Sequence, residues 1–138
     1  MSATRLYRIA AVLFVLFAAA HTFGFLRFKP PTEEGMAVLN AMNTVHFAGF
    51  SYGGFYVGFG LYVSVYMIFS AFLAWHLSNV ATLYPQSIGA LGWIFFGIQI
   101  ASLVLSWKYF SSGPAMFSAM VALFLGWAAA KTGSRVST

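Results

Sequence analysis

"VHFAGFSYGGFYVGFGLYVSVYMIFSAFLAWHL", residues 45–77, runs for 33 residues without a charged side chain. As one straight helix it would reach about 50 Å, against a hydrocarbon core of about 30 Å. The run must therefore tilt, bend or leave the core. Gly53-Gly54 is the natural weak point, because paired glycines loosen a helix and permit backbone angles that other residues avoid. A kink or break is expected between Gly49 and Gly54, leaving a span of about 50–77 with Phe55 onward as its core.

Working outward, three further apolar runs cover residues 9–26, 88–107 and 114–130. Pro30-Pro31, Tyr84-Pro85-Gln86 and Ser111-Ser112-Gly113-Pro114 separate them, as expected where a chain turns at a membrane surface. The reading is an all-α polytopic membrane protein: a four-transmembrane-helix bundle in a single integral membrane domain over 1–138, with spans at about 7–28, 50–77, 88–108 and 114–130. An interfacial or kinked segment at about 33–47 precedes the second span. Thr32 is placed to cap it, with Glu33 and Glu34 near the positive end of its dipole. The runs lack the period-two alternation of a barrel.

Composition points the same way. Of 138 residues 61% are hydrophobic and only 7% charged, too little polar surface to cover a soluble domain. The N-terminus resembles a secretory signal up to Ala18-Ala19-Ala20, but apolar character continues to Leu26, so an uncleaved first helix is expected. Net charge is +5. Arg5, Arg8, Lys131 and Arg135 sit with the termini and Arg27, Lys29 and Lys108 with the opposite connections, so counting basic flanks puts both termini in the cytoplasm of a bacterial inner membrane. The excess belongs to membrane flanks, and no nucleic acid is implied. Trp75, Trp93, Trp107 and Trp127 fall near span ends as an aromatic belt requires.

Polar side chains at membrane depth are costly unless paired or wet, so they are the candidates for function. Gln99, Ser102 and Ser106 share a face of the third span with Gly92, and Tyr62, Tyr66, Phe69, Leu73 and His76 share one on the second. Both faces are expected to point into the bundle, either satisfying one another or lining a pocket in which Gln99 fixes a polar head group. Gly49-x-x-x-Gly53, Gly54-x-x-x-Gly58, Gly60-x-x-x-Ser64 and Ser70-x-x-x-Ala74 read as close helix packing, or as a backbone opening for a ligand. No carboxylate lies within any span, which counts against acid-dependent proton transport and glycosidase-like chemistry. The absence of cysteine removes thiolate ligands and nucleophiles.

His21 closes the first span and His46 opens the second, on the same side of the topology. Neutral imidazole serves metals, haem and proton transfer alike. The pair is expected at one membrane level, where the histidines would pack and hydrogen-bond within the bundle, bind a ligand or lipid head group, or alternatively hold a haem or begin a copper or zinc site with Met42; His76 is assigned to the far surface without a role.

Four functions are weighed. The leading one is a small membrane protein without evident catalytic machinery that binds an apolar small molecule or lipid, or serves as an assembly subunit, through His21, His46, Tyr62, Tyr66, Gln99 and Ser102. The second is an enzyme on a lipid-soluble substrate, with His46 as acid-base residue beside Asn43 and Tyr52. The third is a haem or transition-metal protein on His21 and His46, and the fourth an oligomeric transporter. Partners under the leading reading are membrane lipids or an apolar molecule, with a homo-oligomer as an open assembly state. Sixteen phenylalanines and seven tyrosines suit a flat ligand, yet they pack equally well against acyl chains.

Overall fold

The structure, a computed structural model, describes residues 1–133; Arg135 lies outside the described residues. Five helices follow in order: α1 Ala3–Arg27, α2 Glu33–Thr44, α3 Tyr52–Leu83, α4 Gly89–Tyr109 and α5 Ser112–Gly133. All but α2 are long and apolar enough to cross a membrane. The protein is thus an all-α membrane protein with four spanning helices and one short helix between the first two.

The interruption of the long apolar run falls earlier than its glycine pair. Val45 N–H closes α2 on the Ala41 carbonyl at 2.8 Å, and two short antiparallel strands follow, β1 His46–Phe47 and β2 Phe50–Ser51. Ala48 and Gly49 make the turn at φ 48° and 86°, a left-handed region open to glycine and costly for most other residues. Ser51 Oγ then accepts the Gly54 N–H at 3.0 Å, capping α3. Gly53-Gly54 therefore lies in the first turn of a new helix and is not the bend itself. A Cβ on Gly53 would run into the Asn43 amide, so this glycine lets the end of α2 approach α3. At the other end of α2, Thr32 Oγ1 accepts the Gly35 N–H at 3.1 Å, the cap its sequence implied.

The chain divides into two compact units, residues 1–17 with 68–138, and residues 18–67. In the first, Phe14 stacks on Phe95 at 5.7 Å and Phe17 on Phe117 at 5.0 Å. Leu6, Tyr7, Ala10, Ala74, Leu77, Val121, Leu125 and Ala128 are buried among them. Gln99 is 4% exposed and its Nε2 donates to the Ser118 carbonyl at 3.3 Å, so the polar face of α4 meets α5 as expected. Ser102 is half-buried and spends its proton on the Ile98 carbonyl of its own helix. Gln99→Leu should change stability by less than about 1 kcal/mol, because a crossing hydrogen bond in a membrane is modest. Gln99→Glu should destabilise by about 3 kcal/mol by placing a carboxylate at depth. Denaturation in mixed micelles would separate them; equal effects would refute a buried, membrane-embedded Gln99.

The tyrosine-bearing face of α3 does not point inward. Tyr62 is 70% exposed, and Tyr66, Phe69 and His76 are also on the outside. The buried side of α3 carries small residues: Gly53 and Ser64 in one unit, Ser70, Ala71, Ala74, Ser78 and Ala81 in the other. Acyl chains are as apolar as a phenylalanine ring, so turning aromatics outward loses little, whereas small residues let helices approach. All four tryptophans face outward too, as a belt needs. His76 does not mark the helix end, since α3 continues to Leu83.

Candidate functional site

The polar chemistry of residues 18–67 gathers around one backbone carbonyl. His21 Nε2 lies 3.2 Å from the Gly60 oxygen, and a carbonyl only accepts, so Nε2 carries the proton and the lone pair stays on Nδ1. Ser64 Oγ donates to the same oxygen at 3.2 Å. Thr22 Oγ1 lies 2.7 Å from Ser64 Oγ and 2.8 Å from the Ala18 carbonyl, with a single proton to serve both. Gly60 permits this assembly: a Cβ there would stand 2.8 Å from the Phe25 ring, which itself packs against the His21 imidazole at 5.1 Å. Thr22, Gly60 and Ser64 carry part of this network although none was a candidate from sequence. The signal lies in the Gly60-x-x-x-Ser64 repeat, where the small residues leave the Gly60 carbonyl open to the His21 and Ser64 side chains. His21→Phe should cost about 1 kcal/mol in detergent unfolding, the worth of one interhelical hydrogen bond; no loss would mean the bond is not formed.

His46 is placed differently. It is exposed on β1 opposite Ser51, and its Nδ1 donates to the Thr44 carbonyl at 2.8 Å, which leaves Nε2 as the free nitrogen. His46 thus sits beside the start of α3, while His21 sits at Gly60, about 12 Å further along that helix. Each imidazole is engaged with a different backbone carbonyl, His21 with Gly60 and His46 with Thr44, about two turns apart along α3. Among the described residues no group of three or more His, Cys, Asp or Glu is arranged to hold a metal ion.

Around the hairpin the structure brings together Asn43, His46 and Tyr52, with the Asn43 amide over Gly53 and Tyr52 N–H bonded to the Val45 carbonyl at 3.2 Å. The Phe47 ring packs tilted against Tyr52 at 4.6 Å and meets Phe55 edge-on at 5.8 Å; Phe55 meets Phe59 at 5.8 Å. Beside this row opens an apolar cleft of about 500 Å³ lined by Met42, Tyr52, Phe55, Tyr56 and Phe59. Met42 comes from α2 and the rings from α3, so the cleft has two walls held in register by the hairpin. A larger hollow of about 730 Å³ along Leu103, Val104, Trp107 and Lys108 is built from α4 alone and has one wall. Of the other ligand candidates, Tyr62 and Tyr66 lie on the outer face of α3, and Gln99 and Ser102 belong to the other compact unit. No protein-family model, curated protein or solved structure matches the chain.

Proposed function

We propose that this small membrane-spanning protein binds a flat, ring-bearing, lipid-soluble molecule in the cleft between α2 and α3. The observation that supports this reading is the aromatic row Tyr52, Phe55, Tyr56 and Phe59 facing Met42 across about 500 Å³ of almost wholly apolar space. That volume lies within the range of sites for small organic ligands, which are mostly apolar with a few polar groups to fix orientation. Here the lining is rings and a thioether, so shape and stacking select the guest more than hydrogen bonding does. The bilayer competes for any greasy molecule, so burial alone selects nothing; ring stacking, worth about 0.5–1.5 kcal/mol per pair, supplies the preference for a planar guest. Methionine opposite the rings adds a polarizable, adaptable wall.

The test is extraction in mild detergent from native membrane, followed by mass spectrometry of co-purified small molecules. A planar lipid-soluble compound, enriched over the membrane extract and lost from a Phe55→Ala/Phe59→Ala variant, is the expected result. Recovery of bulk phospholipids alone, in membrane proportions, would overturn it.

A second reading rests on His46. With Nδ1 holding the Thr44 carbonyl, Nε2 is left free at the hairpin that leads into the cleft-lining start of α3, as a general base requires. Turnover of the co-purified compound that disappears in His46→Gln while the compound is still retained would favour an enzyme over a binder.

A further inference from the structure

The unit formed by residues 1–17 and 68–138 contains no aspartate or glutamate, since Glu33 and Glu34 are the chain's only acidic side chains and both lie on α2. Three of its described cations, Arg5, Arg8 and Lys131, lie toward one end, with Lys108 at the other. Arg8 places its guanidinium carbon 5.3 Å from the Trp75 ring centre, bringing the start of α1 to the C-terminal half of α3. Thr4 and Thr82 are joined by a 3.1 Å hydroxyl contact at the same end. Arg5 is exposed one turn before Arg8. The end of α5 arrives there as well: Tyr7, Gly92 and Ala129 meet around one point, and Lys131 follows two residues later, exposed. Three cations thus lie toward the same end of this unit, with Trp75 beneath Arg8 and no aspartate or glutamate side chain in the unit to neutralise them.

We infer that Arg5, Arg8, Trp75 and Lys131 form a binding site for the phosphate headgroup of an anionic phospholipid. An arginine lying on an indole face keeps its N–H fork free for bidentate contact with phosphate oxygens, and a tryptophan at this depth sits at the boundary between headgroup and chain. Each cation near an anionic leaflet contributes about a fivefold preference. The site puts the end of this unit that carries the start of α1 and the end of α5 at the anionic leaflet, and it is independent of the aromatic cleft.

The test uses a variant retaining Trp75 alone (Trp93, Trp107 and Trp127 each to Phe), checked for helicity and a single elution peak. It is reconstituted in phosphatidylcholine vesicles doped with either brominated phosphatidylglycerol or brominated phosphatidylcholine at equal mole fraction. Trp75 fluorescence should be quenched at a several-fold lower fraction by the anionic lipid. Arg5→Gln/Arg8→Gln/Lys131→Gln should erase the difference, while Lys108→Gln, in the last turn at the opposite end of α4, should keep it. Equal quenching by the two lipids overturns the proposal, as does a preference abolished by inorganic phosphate, which would identify a free-anion site. Native mass spectrometry of the unmodified chain gives a reading that needs no variant: retention of phosphatidylglycerol over phosphatidylcholine supports the site, and equal retention refutes it.

Discussion

Gly92→Val should destabilise the protein by about 3 kcal/mol, the upper end of what overpacking a tight core costs. A Cβ on Gly92 would stand 2.7 Å from the Tyr7 hydroxyl oxygen, 3.2 Å from Ile88 Cγ2 and 3.4 Å from Ala129 Cβ, so α1 and α5 both close on this one position of α4. Tyr7 has no room to yield: it is fully buried. Its hydroxyl lies near Thr132, but the Thr132 proton is directed to the Ala128 and Ala129 carbonyls at 3.3 and 3.0 Å, and no well-formed hydrogen bond reaches the phenol oxygen. Tyr7→Phe should therefore be neutral or stabilising by up to about 1 kcal/mol, because it deletes a buried polar atom that gains nothing. It also removes the atom nearest the new methyl. Gly92→Ala, costing about 1–2 kcal/mol alone, should lose most of that cost in the Tyr7→Phe background. Unfolding of the four proteins in mixed detergent micelles gives the coupling directly. Strict additivity would mean that the clash is not with the phenol oxygen.

What the sequence disclosed, and what it withheld, follows from the kind of signal each feature leaves. The number of spans is written in uninterrupted apolar runs, since backbone groups in lipid must be satisfied within the helix. The caps of α2 and α3 were readable or nearly so, because Thr32 and Ser51 act on neighbours three residues away. Which face of α3 turns inward was not legible from its tyrosines. The rule that polar residues point inside competes in a bilayer with the rule that small residues pack helices, and on α3 the stripe of Gly53, Ser64, Ala71, Ala74 and Ser78 prevailed. The same competition hid the His21 network, whose acceptor is a backbone carbonyl made accessible by Gly60, a feature with no side chain to notice. The separate partners of His21 and His46 were hidden for another reason. Assigning residues to span ends places them only to within a few turns, and the hairpin at 46–51 that sets His46 beside the start of α3 leaves no periodic signal in so short a stretch.

The aromatic cleft should lose a planar ligand when its rings are removed, and lose it by more than apolar area alone would suggest. Phe55→Ala and Phe59→Ala together delete two stacking surfaces, about 1–3 kcal/mol, so affinity for a planar fluorescent probe should fall between about 5- and 150-fold. A saturated probe of similar volume should respond much less. Acyl chains solvate it as well outside the cleft as the rings do inside, and its transfer between two apolar surroundings carries little hydrophobic gain. Tyr62→Ala is the matched control: it removes another exposed ring from α3, outside the cleft lining, and should leave both probes unaffected. Probe titrations on reconstituted protein measure all three effects together. If the planar and saturated probes weaken equally, or Tyr62→Ala weakens binding as much as the double variant, then aromatic surface in general is at work and the cleft between α2 and α3 is not the binding site. A large, planar-selective loss confined to Phe55 and Phe59 leaves the geometry of the row held by Phe47 as the source of selectivity. Phe47→Ala, which touches that row without lining the cleft, should then produce a smaller loss of the same planar-selective kind.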